Sequence, residues 1–351
     1  MTFEEARAQF PVFERFAYLN AGSNGPLART TVDAVVRQIE LDRDEGRSGS
    51  PWFDEYLERR AQARREIAAV IDVDPSLVAL TDSTTRGCAI VLSGLGLRPE
   101  DEVVITDQEH FGLLGSVHAS GARVVVAEAT EDAIIAAATP RTRLVATSHI
   151  LWTTGRRLDL ARVREAVGVP VLVDGAQSAG AIEVHVAAFD FYTVSGQKWL
   201  CAPEPTGGLY VRDPERLRVS TPSSFAPSSY ETSGAFVPKE GAARFDSGWI
   251  GAPTLAGLLA ALAVHPEWRY RRAAENAARC HELLASRVEV VSPPGQSTLV
   301  SFRPNGDPTE LVAAMHERGV IVRELPGRNL VRASVGWWTD ENDLKRLTEA
   351  L

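Results

Sequence analysis

Glu102-Val-Val-Ile-Thr106, Arg123-Val-Val-Val-Ala127, Leu144-Val-Ala-Thr147 and Pro170-Val-Leu-Val-Asp174 are four short runs of aliphatic residues in the middle of the chain. They are apolar at successive positions, not alternate ones, which marks strands buried on both faces of a parallel sheet. Helix-forming stretches at 131–138 and 160–167 lie between members of the series. The alternation predicts an α/β fold with a mainly parallel sheet covered by helices. Working outward, Leu77-Val-Ala-Leu80 and a helix over 85–95 precede the series, and Asp190-Phe-Tyr-Thr-Val194 and Gly208-Leu-Tyr-Val211 extend it. Two amphipathic helices, 28–45 and 52–71, follow a short helix that Pro11 stops. The Ser-, Pro- and Gly-rich segment 220–240 reads as an irregular excursion. Helices over 254–264 and 267–286 lead into a strand–strand–helix–strand–strand–helix series, a smaller C-terminal α+β domain. The expected organisation is an N-terminal segment 1–20, a large domain 21–265 and a small domain 266–351.

The 351 residues are 44% hydrophobic and 24% charged, which excludes disordered and collagen-like classes. A net charge of -9 argues against nucleic-acid and anionic-membrane surfaces. The longest apolar run, Leu255 to Val264, is too short to span a bilayer. The acidic start resembles no leader peptide, so a cytoplasmic enzyme is expected. Only Lys198, Lys239 and Lys345 are lysines, so amine chemistry has three candidates. Cys88, Cys201 and Cys280 are too scattered for a disulfide framework or a zinc ribbon, and no metal is expected. Gly94-Leu-Gly96-Leu-Arg-Pro99 lacks the third glycine of a dinucleotide fingerprint and ends a helix instead of opening one.

Four local features carry chemistry. Thr81-Asp-Ser83-Thr84-Thr85-Arg-Gly87 joins a strand to a helix start, where free backbone N–H groups and hydroxyls suit an anion, although it also reads as an ordinary cap. Asp174-Gly-Ala-Gln177 closes an apolar strand at the edge where α/β ligands bind. Ser195-Gly-Gln197-Lys198-Trp-Leu sets a lysine among apolar residues, where a lowered pKa favours Schiff-base chemistry. Gln108-Glu-His110-Phe places a histidine just past a strand, able to stack or move a proton.

In chain order, a phosphate turn, His, Asp-x-x-Gln and Ser-x-x-Lys resemble the class V aminotransferase family of fold type I pyridoxal-phosphate enzymes. That family includes cysteine desulfurases, cystine C–S lyases and isopenicillin N epimerase-like proteins. The likeness runs from Tyr18-Leu-Asn-Ala-Gly22 to Arg332-Ala-Ser334. It implies pyridoxal 5'-phosphate as cofactor, with Lys198 as its covalent anchor and a catalytic group. It implies Asp174 on the pyridinium nitrogen, Gln177 on the phenolic oxygen and catalytic His110 stacked on the ring. Ser83, Thr84, Thr85 and Ser195 would hold the phosphate. Gln197 stands where desulfurases carry a second histidine and would also serve the cofactor. Arg332 matches the arginine that binds the substrate carboxylate, and Val331, Ala333 and Val335 alternate onto the opposite strand face. A homodimer with the site between subunits and a small amino-acid substrate are also implied.

Departures narrow the reaction. A desulfurase needs a thiol shortly before the carboxylate arginine, and residues 281–331 contain no cysteine. Trp152 stands near the family's substrate-side asparagine, and Gly248-Trp249 replaces the Gly-Thr that reaches a neighbouring subunit's phosphate. Arg86 replaces a glutamate. Trp152 and Trp249 are therefore expected to wall the substrate pocket. Ser148-His-Ile-Leu-Trp152-Thr-Thr-Gly155 and Gln197-Lys-Trp-Leu-Cys-Ala-Pro203 are most similar to the C–S lyase and epimerase-like branch. The expectation is β-elimination from cystine or a cysteine derivative, giving pyruvate without a catalytic cysteine. An aminotransferase or epimerase is the alternative, and a cysteine desulfurase ranks last.

Overall fold

The computed structural model describes residues 1–351. Its centre is a seven-stranded sheet in the order Val78–Thr81, Gly207–Val211, Phe191–Ser195, Val171–Asp174, Thr142–Ser148, Glu102–Thr106, Arg123–Ala127. Every strand runs parallel except Gly207–Val211, which is antiparallel to both neighbours. The exception follows from its connection: residues 196–206 contain no helix, and a parallel return needs a crossover. The apolar runs seen in the sequence are these strands, and the central ones are fully buried. Arg123–Ala127 departs from the expected two-sided burial, because it ends the sheet with no strand beyond it and leaves Val124 and Val126 exposed.

Apolar layers cover both faces. On one, Tyr56 and Ile67 of helix Gly49–Val70, Ile71 at its C-terminal cap, and Leu255 and Leu258 of helix Ala252–Val264 pack on Val104, Val145 and Val173. On the other, Val91 and Leu92 of helix Thr84–Gly94 and Leu113 and Val117 of helix Phe111–Ala119 pack on Val103, Leu144 and Leu172. Helix Phe111–Ala119 is absent from the sequence expectation because Gly112 and Gly115 lower its helix propensity; burial of Leu113 and Val117 outweighs that. The segment expected to be irregular contains a small hairpin, Pro227–Tyr230 against Phe236–Pro238.

The C-terminal part holds a four-stranded antiparallel sheet, ordered Glu289–Val290, Leu299–Arg303, Leu330–Ser334, Arg323–Leu325. The start of the chain packs with it. Ala17–Tyr18 pairs parallel with Val320–Ile321, and Leu19 is buried among Val300, Phe302 and Val331. Arg7 pairs with the buried Asp343 at 2.9 Å. The residues after Leu19 are thereby delivered to the edge of the large sheet. No helix is long and apolar enough to cross a membrane.

One buried carboxylate ties the first helices to the sheet. Asp246 accepts from Arg60 at 2.9 Å, from both terminal nitrogens of Arg64, and from the Leu80 backbone N–H at 2.9 Å. Removing one member of such a cluster strands charge in the interior, which costs about 3–5 kcal/mol. Asp246→Ala is therefore expected to lower urea-unfolding stability by about that amount, with an unchanged slope against denaturant.

Candidate active site

The parallel strands end on one edge, and the turns after them enclose a cavity of about 240 Å³. Ser83, Thr84, Thr85, His110, Trp152, Asp174, Gln177, Ser195, Gln197, Lys198 and Arg332 all line it. Ser83 through Lys198, up to 115 positions apart, converge because strand ends in a parallel sheet face the same side. Arg332 joins them from the antiparallel C-terminal sheet.

At one end, helix Thr84–Gly94 opens towards the cavity. Ser83 caps it by accepting from Arg86 N at 3.2 Å, while the first-turn N–H groups stay available to an anion. Ser195 Oγ donates to Gln197 Oε1 at 2.7 Å, which joins two of the polar groups. Asp174 is buried; its Oδ1 accepts from Ala176 N at 2.9 Å and Thr193 Oγ1 at 3.4 Å, and Oδ2 takes no protein hydrogen bond. A protonated ring nitrogen is a suitable partner for that oxygen.

Lys198 is half-buried, and desolvation of its amine pulls the pKa down to about 8. Arg332 and Arg323 reinforce the shift and Asp174 opposes it. His110 Nδ1 accepts from Gly112 N at 3.1 Å, which puts the proton of the neutral ring on Nε2. Burial lowers the pKa of this histidine, and Lys198 adds to the effect. Its ring meets Trp152 edge-on at 5.6 Å. Arg332 is 1% exposed; Nη1 donates to Trp152 O at 2.8 Å and Nε has no partner. Burial, then Arg323, lowers its pKa to about 9. An incoming carboxylate would satisfy this guanidinium as a two-pronged acceptor. Gly22 makes room for it: a Cβ there would lie 2.7 Å from both Arg332 Nη2 and Ser334 Oγ.

Two contributors escaped the sequence reading. Arg323 lines the cavity, is the register partner of Arg332, and donates to Ser23 Oγ at 2.9 Å. Its strand is only three residues long, so pairing with Arg332, not local pattern, brings it there. Glu109 lies buried behind the site and accepts from Thr106 and Thr147 hydroxyls and from Ser148 N and Oγ. It secures the turn that presents His110. Its position between two hydroxyl-bearing strand ends was the available signal.

Trp249 departs from its expected place. It does not line the cavity of its own chain but lies 61% exposed, stacked on Tyr56 at 4.9 Å. The ion pairs of Asp246 hold that loop against helix Gly49–Val70, which explains the difference. Cys88, Cys201 and Cys280 are all buried, and burial raises each thiol pKa.

The family model "Aminotransferase class-V" matches residues 18–347. Isopenicillin N epimerase of Streptomyces clavuligerus is 29% identical over 99% of this chain and 97% of its own length. A probable cysteine desulfurase of Methanothermobacter thermautotrophicus is 26% identical over 100% and 98%. The cystine C–S lyase C-DES, in complex with its product cysteine persulfide, superposes with a TM-score of 0.90 at 29% identity, covering 97% of this chain and 98% of that one. A C-DES mutant with glycine covalently linked to its PLP cofactor gives the same TM-score and identity, over 98% of each chain. The cavity fits that cofactor: a helix start for phosphate, the free Asp174 Oδ2 for the ring nitrogen and the half-buried Lys198 amine for the aldehyde.

With an amine pKa near 8, trapping of pyridoxal phosphate by borohydride at Lys198 is expected to become faster as pH rises through about 8. Lys198→Ala is expected to carry no adduct by mass spectrometry, at Lys239 and Lys345 included.

Proposed function

The chain belongs to the class V aminotransferase family, a group of pyridoxal-phosphate enzymes, and on that premise we propose that it is a β-eliminating lyase cleaving a C–S bond of cystine or a cysteine derivative. The observation that carries the reading is the pair Arg332 and Arg323 in a cavity to which no cysteine contributes. Lys198, Arg323 and Arg332 face one carboxylate, Asp174, so the site favours a ligand with more than one negative group. Phosphate supplies one such group; the two carboxylates of cystine supply two more.

Arg332 binds the α-carboxylate of the reacting half. Arg323, at the rim with Ser23, binds the carboxylate of the departing half. Pyridoxal phosphate, when bound, supplies an electron sink for the pair left by α-proton removal. Asp174 would hold the ring nitrogen in its protonated form. Lys198 would anchor the cofactor, and its Nζ is the group placed to take the α-proton. The Cβ–S bond then breaks and sulfur leaves with its electron pair as cysteine persulfide. The released enamine takes up water to give pyruvate and ammonia. No step changes the overall oxidation state or needs a protein thiol.

Isopenicillin N epimerase favours a second reading, in which the proton returns to Cα. Purified cofactor-loaded protein with L-cystine and no keto-acid acceptor separates the two. Elimination gives many turnovers of pyruvate; epimerisation gives D-isomer and none; transamination stalls without acceptor. Arg332→Ala is expected to raise KM for cystine about 10- to 100-fold, the worth of a charge-assisted bond. Arg323→Ala should do so for cystine far more than for an S-alkyl cysteine, which lacks the second carboxylate.

We also propose that a second copy covers the outer face formed by Val32, Val36, Ile39, Phe53, Leu57 and Trp249. These large apolar side chains are 37–61% exposed, on two adjoining helices and the loop that carries Trp249. Exposed apolar side chains grouped in this way mark a protein–protein contact. Light scattering is expected to give a dimer, and Trp249→Asp a monomer.

A further inference from the structure

Trp199 follows Lys198 directly, and its indole does not line the cavity. It is 2% exposed and packs in an aromatic cluster with Phe10, Phe13, Trp337 and Trp338. Its Nε1–H donates to Gln177 Oε1 at 3.1 Å. On the other side of the same amide, Gln177 Nε2 donates to the backbone carbonyl of Gly22 at 2.9 Å. Gln177 is itself buried and faces the cavity.

The chemistry of these partners allows one orientation of the amide. An indole N–H can only donate and a backbone carbonyl can only accept. Rotating the amide by half a turn would set its NH2 against the indole N–H and its oxygen against the Gly22 carbonyl. Both contacts would be repulsive and both groups are shielded from water, so each would cost the desolvation of a buried polar group. In the observed orientation one hydrogen of Nε2 is taken by Gly22 and the second takes no protein acceptor.

We propose that Trp199 is a positioning residue that locks Gln177 with its free N–H towards the bound cofactor, where it donates to the ring's phenolic oxygen. The turn that carries the covalent anchor then also carries the group that orients this donor. The Gly22 carbonyl closes the lock from the N-terminal segment, beside the arginine that takes the substrate carboxylate. The proposal rests on pyridoxal phosphate as cofactor and on Gln177 facing its ring; it does not depend on which bond the enzyme breaks.

A donor on the phenolic oxygen stabilises its anionic form and weakens its hold on the neighbouring proton. Losing the donor raises the pH midpoint of the cofactor's visible absorption band. Hydrogen bonds to charged groups set the scale, an upward move of about one to two pH units. The experiment titrates that band in the cofactor-loaded wild type, Gln177→Leu, Trp199→Phe and the double variant. Trp199→Phe keeps an aromatic ring and removes only the N–H and part of the indole. Expected are upward shifts in both single variants and no further shift in the double variant. A Trp199→Phe midpoint equal to wild type, with Gln177→Leu shifted, overturns the positioning role and leaves Gln177 in place. An unmoved Gln177→Leu overturns the assignment of Gln177 itself, and the proposal with it.

Should Trp199→Phe fail to fold, 15N-indole spectra of the wild type and Gln177→Leu decide. One of the seven tryptophan N–H signals is expected to move both on cofactor loading and on Gln177→Leu. The absence of any signal that responds to both overturns the proposal.

Discussion

Burial of positive charge opposite too little negative charge is the constraint around which this molecule is arranged. Arg332 is shut away from water, Lys198 is half-buried, Arg323 stands at the rim, and Asp174 is the single carboxylate on the cavity wall. Desolvation pushes the lysine and the arginine towards their neutral forms, so both gain when an anion arrives. The protein supports this arrangement with backbone. The Trp152 carbonyl takes one guanidinium nitrogen of Arg332, and Gly22 gives up its side chain so that the guanidinium fits. The pairing of Ala17–Tyr18 with Val320–Ile321 exists in the same neighbourhood for a reason: it fixes where Gly22 and Ser23 stand against the two arginines.

The legible part of the fold follows from the parallel sheet. Strands buried on both faces carry unbroken aliphatic runs, so Glu102–Thr106 and Val171–Asp174 stand out in the sequence; Arg123–Ala127 carries the same kind of run but is the edge strand and leaves Val124 and Val126 exposed. Ligand groups must follow at their ends, which made Asp174, His110 and Ser195 visible as candidates. Residues whose place depends on pairing were not legible. Arg323 enters through a three-residue strand whose register against Arg332 is a tertiary fact. Glu109 reads as one more surface acid until four donors close on it. Helix Phe111–Ala119 opposes its own propensity and is stabilised by the core it covers. Trp249 lies on the outer face of its own chain, where the ion pairs of Asp246 hold its loop.

The C-terminal sheet does more than close the cavity. Leu299–Arg303 and Leu330–Ser334 bury Val300, Phe302, Val331 and Ala333 on the core side, so the pleat leaves Arg332 on the other side. A one-residue slip would exchange them and bury the guanidinium in an apolar core. Register in this sheet therefore decides whether Arg332 faces the cavity or the core. The first residues of the chain enforce it, because Leu19 and Ala17 pack into the same core.

The placement of sulfur bears on the reaction. Attack on a substrate sulfur requires a thiolate, and a thiolate requires solvent or a nearby cation. Cys88 lies on the buried face of helix Thr84–Gly94, where Asp174 and Glu109 further disfavour its ionisation. Cys280 sits in the C-terminal core, far from the strand ends. Cys201 is three residues from Lys198, yet its side chain packs against Gly25 and burial raises its pKa. The chain thus keeps its thiols as packing groups and its cations at the cavity. A chemistry that releases sulfur with its own electron pair asks nothing of the thiols and everything of the cations, which is the distribution this molecule has.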